Sequence, residues 1–384
     1  VDTSGNEVTA SALGAHFGGA AALPSGGFWL ADARRCGLWE FDPTGVLVQR
    51  LVPEGTPASL GTATLPPAYA ARRANLDFGL GRRFGGFGAL AHDDASGVLT
   101  AAARLPLDHP DTASDATSAS SAVIRLLQVD AATGVAVGEY ALVLDASDHA
   151  VEGLCVSNSA AFGGLALLEA AADPEGFCGV YSLDLSTATN LQSLAPADYA
   201  AVSSQLEATP PDQLGALQVP VTPVGKVLRA DLSEAGLGGS GRASGLASLG
   251  DDLVVTFDNG AGLDEAAAAP GSGVLSGVGG ASTAFALVKL EPEGVDASSV
   301  PGAFDPRPLP VKGLIQPLDL VSFSHRGETR LALANGGLAR VIPAGTGAGS
   351  DERERVMDLT LDTQTFLNAL ELQQPDEAGD LMVS

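Results

Sequence analysis

The sequence predicts an all-β fold, namely a β-propeller of about five to seven four-stranded blades with long loops and a short C-terminal helix. Three observations support this prediction. The chain contains 48 glycines and 23 prolines, which indicates many turns. Its apolar runs are short and alternate with polar residues, as in half-buried strands. Blocks of such runs recur along the chain, which favours a repeat architecture over an α/β fold.

The first block shows the pattern most clearly. Gly27–Asp32 and Leu38–Asp42 are strand-like, and Asp42–Gly45 (Asp-Pro-Thr-Gly) is a type I turn sequence in which the proline presets φ at the second position. Val46 then opens a third strand. The later blocks follow the same plan and span Phe87–Asp130, Val151–Asp184, Ser244–Leu290 and Pro317–Ile342. A single blade cannot bury both of its faces, so the blocks are expected to stack around one axis.

Composition and length limit the domain organisation. Hydrophobic residues make up 45% of the 384-residue chain and charged residues only 17%, which indicates a folded protein with a large core. No linker is evident. We therefore predict one propeller domain over residues 1–345 and an extension over residues 346–384, with a short helix within Arg353–Leu372. The expected long loops are rich in small residues and lie at 56–80, 105–121, 190–222 and 261–281.

The charge balance excludes several classes of partner. With 46 acids against 20 bases the net charge is −26, so nucleic acid and anionic membranes would be repelled. Calcium, cationic partners or a saline medium suit this surface, and simple solubility in such a medium is the plainer explanation. The sequence has no run of about 18 apolar residues, so no transmembrane segment is predicted. We expect an extracytoplasmic protein (secreted, periplasmic or in an organelle lumen). Val1–Gly5 has no basic and apolar leader, so the expected leader would already have been removed.

The cysteines and histidines form no recognised catalytic or metal-binding motif. Cys36, Cys155 and Cys178 contain no C-x-x-C pair; Cys155 and Cys178 flank one predicted strand pair and could form a disulfide, or all three could be buried thiols. No G-x-S-x-G or H-E-x-x-H sequence occurs. Among the five histidines, only His149 has a suggestive acidic neighbour, Glu152.

The ordered motifs resemble those of the esterase-like-phytase β-propellers over roughly residues 20–345. That family carries G-G-F-W-x-x-D followed by an x-x-F-D-P-x-G turn, and Gly26–Gly45 is similar to it. Gly86–Ala91 stands where the family has G-F-E-G-L-A. A K-x-L-x-x-D-L stretch is found at Lys226–Leu232, and a short glycine motif at Ser244–Ala247 precedes a strand ending in Phe257-Asp258-Asn259.

This chain departs from the family pattern at positions that matter for chemistry. Gly88 and Ser244 stand where the family usually places glutamates, and neither replaces a carboxylate as a general acid, a general base or a hard-metal ligand. The family's E-R pair appears as Glu169-Ala170, without the arginine.

Two candidate sites remain. Asp32, Glu152, Glu169 and Asp258 lie near the ends of predicted inner strands, which converge on the channel of a propeller and there could bind Ca²⁺ as the cofactor. Alternatively, each caps a turn or accepts backbone hydrogen bonds. Arginines cluster in the first third of the chain and could bind an anion or a partner, or pair with local acids. The residues proposed for this role are Arg34, Arg35, Arg72, Arg73, Arg82 and Arg83.

Three functions follow as hypotheses. The missing acids favour a non-catalytic binding or structural subunit of a larger assembly, with other protein subunits as partners. The alternative, implied by the resemblance, is a calcium-dependent phosphoesterase or esterase. A third is a carbohydrate- or surface-associated secreted propeller.

Overall fold

The structure is a computed structural model built as a series of antiparallel sheets. The residues that it describes are 17–33, 36–71, 73–77, 82–108, 120–157, 159, 163–173, 176–233, 242–249, 252–258, 284–288, 304–305, 317–325, 328–335 and 338–343. The proposed C-terminal extension, residues 346–384, lies outside them.

The first sheet is formed by the first sequence block and one added strand. Its order follows the chain: β1 (Phe17–Ala22), β2 (Phe28–Asp32), β3 (Gly37–Phe41), β4 (Leu47–Pro53) and β5 (Thr62–Leu65). The turn between β3 and β4 forms as the sequence predicts. The Asp42 carboxylate accepts hydrogen bonds from the backbone N–H groups of Thr44 and Val46, and Gly45 adopts a φ of 81°. The strand β5 joins β4 in parallel.

The next two sheets have four strands each, again in chain order. The second contains β8 (Phe87–Asp93), β9 (Val98–Ala103), β10 (Val123–Asp130) and β11 (Ala136–Val143). The third contains β12 (Ala150–Val156), β13 (Leu165–Ala170), β14 (Cys178–Asp184) and β15 (Gly225–Asp231). Along the chain, a separate hairpin formed by β6 (Arg73–Asp77) and β7 (Arg82–Gly85) comes between the first and second sheets.

The last two sheets complete the series. The fourth contains β16 (Arg242–Leu249), β17 (Asp252–Asp258), β18 (Ala284–Val288) and β19 (Phe304–Asp305). The described part of the fifth contains β20 (Pro317–His325), β21 (Glu328–Asn335) and β22 (Leu338–Pro343).

The first strands of the five sheets form a closed ring. Strand β1 contacts β8, β8 contacts β12, β12 contacts β16, β16 contacts β20, and β20 returns to contact β1. Each sheet therefore has its first strand innermost and its later strands outward, which is the arrangement of a β-propeller. The described sheets give five blades, at the lower end of the expected five to seven. The predicted fold class is confirmed.

Small residues let the inner strands approach one another. A Cβ atom at Gly19 would lie 2.8 Å from the Cα of Ala89 on the next blade, and one at Gly153 would lie 2.7 Å from the Cβ of Leu246. The glycines of these blocks are therefore required by close approach of backbones around the axis. Farther out, apolar side chains fill the space between neighbouring blades. One such cluster joins Leu168 and Val180 of the third blade to Leu246 and Val255 of the fourth.

The segment 190–221, expected as part of a long loop, has structure of its own. It contains the helix α1 (Pro196–Ser203) and 3₁₀ turns at Leu191–Ser193 and Pro211–Ala216. Its apolar residues, including Val202 and Leu214, pack against Val123 and Ala141 of the second blade. We call this segment the blade-2 cover. It is folded against the second blade, and not a solvated loop, because burying its apolar residues is favourable.

The three cysteines are buried and are not joined in a disulfide. Cys155 pairs with Ala166 and Cys178 with Ala170, so the two cysteines lie opposite positions four residues apart along β13. That offset is about 13 Å along a strand, too far for a disulfide. Burial raises the pKa of the Cys178 thiol to about 12. Among the described helices, none is both long and apolar enough to span a membrane.

Candidate polar site at the inner strands

Each of the five inner strands that the structure describes carries a β-bulge near its start. In each, the pairing with the second strand skips one residue, as between Phe17 and Gly19 or between Val151 and Gly153. The residues at these skipped positions are Gly18, Gly88, Glu152, Ser244 and Leu318. The two positions at which the family pattern lacks its glutamates, Gly88 and Ser244, are thus equivalent to the one that keeps an acid, Glu152.

The bulges of the first three blades lie at one level around the ring. A Cβ atom at Gly18 would lie 3.2 Å from the carbonyl oxygen of Phe87, and one at Gly88 would lie 2.9 Å from the carbonyl oxygen of Val151. Each bulge therefore faces the residue just before the bulge of the next blade. Bulges commonly redirect side chains beside functional sites, and this repeated feature identifies a candidate site.

Arg104 connects the second blade to the bulge of the third. Its Nη2 donates to Oε2 of Glu152 in a short ion pair, and its backbone N–H donates to the carbonyl of Gly86. The Arg104 side chain is 14% exposed and that of Glu152 is 3% exposed. A Cβ atom at Gly88 would lie 2.8 Å from both Cβ and Cγ of Arg104. Because Gly88 has no side chain, the aliphatic part of Arg104 can occupy this space.

Glu169 is held by a second cation. Nζ of Lys226 lies 2.7 Å from Oε2 of Glu169 and 2.5 Å from Oδ1 of Asp145. The other oxygen of Glu169 accepts from the backbone N–H of Asp145 and lies 2.7 Å from Nδ1 of His149. His149 therefore contacts Glu169, whereas Glu152 was its expected neighbour from the sequence.

An aromatic residue completes this second group. The hydroxyl of Tyr181 donates to Oδ2 of Asp145 at 2.6 Å, and Nζ of Lys226 lies 4.4 Å from the centre of the Tyr181 ring. Burial raises the pKa of Tyr181 well above its ordinary value, and the hydrogen bond to Asp145 raises it further. Burial alone would raise the pKa of Asp145, but the hydrogen bonds from Lys226 and Tyr181 outweigh it and lower that pKa. The side chain of Asp145 is 48% exposed, so the group opens to solvent here.

The other two predicted acids lie on different blades. Asp32 ends β2 and is buried; it pairs with Phe17 just as Glu169 pairs with Val151, so the two acids occupy equivalent positions. Asp258 ends β17 in the fourth blade and pairs with Arg242. The structure describes its backbone position only. The four acids therefore come from three blades, at the strand ends that the sequence predicts.

The described acids do not form a complete set of calcium ligands. Among the residues that the structure describes, no group of three or more His, Cys, Asp or Glu side chains could hold a metal ion. Glu152 and Glu169 are each paired with a side-chain cation, whereas a calcium site needs six or more oxygen ligands around one centre. The four-residue metal site stays a prediction, because the side chain of Asp258 lies outside the described part.

The predicted arginine site is only partly described. Arg34, Arg35 and Arg72 lie outside the described residues. Arg73, Arg82 and Arg83 come together on the β6–β7 hairpin, where Arg83 pairs with Leu76 and Arg82 with Asp77. The hairpin therefore brings three of the six arginines into one short element.

The sequence did not reveal the two cations that organise the site. In the sequence, Arg104 is one of several arginines in the first third of the chain, and Lys226 belongs to the K-x-L-x-x-D-L motif. Their partners lie 48 and 57 residues away along the chain, so spacing alone could not pair them. Lys226 could have been identified as a site residue from its fixed place in that motif, together with the scarcity of lysine in this acidic chain.

The fold and this site define a β-propeller with a polar centre at the bulged ends of its inner strands. The family model for "Phytase-like: Esterase-like activity of phytase" matches residues 19–237, and the chain belongs to that family. No curated protein matches the sequence.

Several solved structures are similar in shape at low sequence identity. Hydrazine synthase of Kuenenia stuttgartiensis is 10% identical, with 86% of this chain and 84% of that chain covered and a TM-score of 0.36. The WD40 repeats of RRP9 are 10% identical, with 90% and 81% covered and a TM-score of 0.35. The β-propeller domain of Cps50 (Swd1) from Myceliophteria thermophila is 11% identical, with 91% and 90% covered and a TM-score of 0.31.

Proposed function

We propose that this chain is a non-catalytic binding or structural propeller that serves as a subunit of a larger extracytoplasmic assembly. The observation that carries the proposal is the pairing of Glu152 with Arg104 and of Glu169 with Lys226. A carboxylate that already balances a buried cation is a poor ligand for a second one, because binding a metal would bring like charges together.

The bulge positions support the same proposal. Gly88 has no side chain, and the hydroxyl of Ser244 lies 3.3 Å from Oγ1 of Thr256. Neither residue supplies the carboxylate that general acid–base catalysis or a hard metal ion would use.

The alternative is a calcium-dependent phosphoesterase or esterase. It is favoured by the family description and by the contact between His149 and Glu169, since a carboxylate commonly orients a histidine in hydrolases. No metal-dependent step can be derived for it from the described acids.

The β6–β7 hairpin is proposed as a partner-binding element. Arg73, Arg82 and Arg83 share this element in a chain whose net charge is −26. Guanidinium groups bind carboxylates in two-pronged fashion, so arginines of this hairpin would suit an acidic surface on a neighbouring subunit.

The catalytic alternative is tested with the purified protein. Hydrolysis of a panel of phosphomonoesters and carboxylic esters is measured with Ca²⁺ and with EDTA. We expect no turnover above the buffer rate in either condition. Calcium-dependent turnover that is lost in Glu152→Gln would contradict the non-catalytic proposal and support the alternative.

The assembly is tested in native preparations. We expect the chain to elute above the mass of one copy and to bring the same partner with it. The pair Arg82→Glu and Arg83→Glu should weaken this association at least tenfold. The matched double variant Arg330→Glu/Arg340→Glu makes the same change in net charge on the fifth blade and should leave the association intact. A chain that elutes as a lone monomer overturns the assembly proposal.

A further inference from the structure

We propose that the blade-2 cover blocks an outer strand edge, and that it thereby keeps a second copy of this chain from pairing with β11. This role goes beyond the proposed function, because it concerns association of the chain with itself and depends on no partner subunit. Strand β11 (Ala136–Val143) is the outermost strand of the second blade, so one of its edges faces away from the sheet. Such an edge offers backbone N–H and C=O groups to any strand that reaches it.

Asn190, the first residue of the cover, occupies this edge. Its Nδ2 donates to the carbonyl oxygen of Val137 at 3.1 Å, and its Oδ1 accepts from the backbone N–H of Glu139 at 3.1 Å. The side-chain amide therefore makes the two kinds of hydrogen bond that the backbone of a neighbouring strand would make. The same oxygen accepts from the backbone N–H of Gln192, which fixes the amide at the first turn of the cover.

The residues that follow the cover close the next part of the same edge. The backbone N–H of Val224 donates to the carbonyl oxygen of Ala141 at 2.8 Å. The two ends of the cover are also joined, because the backbone N–H of Thr189 donates to the carbonyl of Thr222 and the backbone N–H of Thr222 donates to Oγ1 of Thr189. The joined ends hold Asn190 and Val224 beside β11.

The sequence of β11 explains why this edge has to be blocked. Residues 135–144 read V-A-V-G-E-Y-A-L-V-L, with three valines, one tyrosine and no proline, a composition that favours strands and their aggregation. Val135 and Val137 are 52% and 45% exposed. The one charged residue, Glu139, is buried and paired with Arg125, so it places no charge on the surface of the strand. An open edge of this composition would pair readily with a copy of itself.

The outer strand of the third blade is protected in a different way. Strand β15 (Gly225–Asp231) also exposes apolar residues, Val227 and Leu228. Three of its seven residues are charged, however, whereas β11 has one charged residue among eight. Charged side chains are a common protection of edge strands. In the second blade the cover takes the place of these charges.

The experiment measures self-association of the purified full chain without any other subunit. Sedimentation velocity over a range of protein concentrations compares wild type, Asn190→Ala and Gln205→Ala. The Gln205 side chain donates to the carbonyl of Ala201 within the cover, so its substitution is the matched control. We expect wild type and Gln205→Ala to sediment as the same species at every concentration. Asn190→Ala should form dimers or larger species as the concentration rises.

Two measurements connect this association with the edge of β11. At low protein concentration, the Glu139 amide of Asn190→Ala should exchange with deuterium about tenfold faster than in wild type, because it has lost one hydrogen bond. Adding Val137→Lys places a charge at an exposed position of the edge strand. This second substitution restores no hydrogen bond, yet it should return Asn190→Ala to the sedimentation of wild type.

A milder variant keeps the test decisive if Asn190→Ala does not fold. Asn190→Asp keeps the oxygen that accepts from Glu139 and Gln192 but loses the donor to Val137, so it should still associate as its concentration rises. The proposal is overturned if the folded variants sediment like wild type at every concentration, or if Val137→Lys leaves their association unchanged. Neither readout needs a partner or ester hydrolysis, so a failure here is distinguishable from a failure of the proposed function.

Discussion

Two groups of buried charges occupy different parts of this propeller and differ in how completely they are enclosed. The first lies under the blade-2 cover, where all five guanidinium N–H groups of Arg125 find acceptors on Glu139, Glu207 and Ser203. The three charged side chains of this group are buried. The second is the polar site of the inner strands, where Arg104 and Asp145 are partly exposed.

The two groups differ in what they leave accessible to solvent. Under the cover, every donor of Arg125 is used within the protein, and the bonds reach from β10 to the helix α1 and the residues after it. Such a saturated group holds an insertion in place and has nothing left for a ligand. The polar site keeps an opening to solvent at Asp145 beside its cations.

The largest expected effect comes from the enclosed group. Arg125→Met leaves the Glu139 and Glu207 carboxylates buried without their cation, and we expect a loss of about 4 kcal/mol in the free energy of unfolding. Urea denaturation measures it. Arg229→Met, at a partly exposed arginine, is the matched control and should cost less than about 1 kcal/mol. If both substitutions cost the same, the cover is not held by Arg125.

A smaller loss is expected from the open group. Lys226→Met removes the cation shared by Glu169 and Asp145, with Glu169 fully buried, and we expect a cost of about 3 kcal/mol, at the low end for a broken buried pair. The double variant Lys226→Met/Glu169→Met should lose less than the sum of its single variants, because the two residues are coupled. Additive losses would show that the ion pair contributes nothing of its own.

The same contrast shows what the sequence could predict. Local patterns predicted the strands and the Asp42–Gly45 turn, because these depend on alternation and on turn chemistry. The family's E-R pair indicated Glu169, and the ends of the predicted inner strands indicated Glu152. Arg125 was not identified, since its role depends on Glu207, 82 residues away, and on a segment expected to be loop. Ion pairs such as Arg125–Glu207 depend on how blades and insertions pack against one another. The local alternation of apolar and polar residues carries no information about that packing.

Packing density gives a third contrast between the same two regions. Gly153→Ala puts a methyl group 2.7 Å from Cβ and 2.8 Å from the backbone nitrogen of Leu246, so the inner ring must spread. We expect a loss of about 2 kcal/mol. Gly215→Ala, in the blade-2 cover, meets no atom within 4 Å and should leave stability unchanged or raise it by up to about 1 kcal/mol. A harmless Gly153→Ala, measured by the same urea titration, would contradict the close approach of the inner strands.

The smallest expected effect is a pH dependence at the solvent-exposed edge of the polar site. Hydrogen bonds from Lys226 and Tyr181 lower the pKa of Asp145 below 3.8. A carboxyl group with a lowered folded-state pKa stabilises the protein above its unfolded pKa and loses that contribution as pH falls through the folded value. The stability difference between wild type and Asp145→Asn should therefore be constant from about pH 6 to pH 5 and shrink below about pH 4.

Because Asp145 is about half exposed, solvent screening should keep this difference below about 1 kcal/mol, and added salt should reduce it. Thermal midpoints at low ionic strength measure it, with Asp212→Asn in the blade-2 cover as the control for loss of one acidic charge. A difference that stays the same from pH 6 to pH 3 would mean that Asp145 is not held in its ionised form by Lys226. The charges of the polar site would then resemble those of the enclosed Arg125 group, because packing would fix them and the pH of the solution would not affect them.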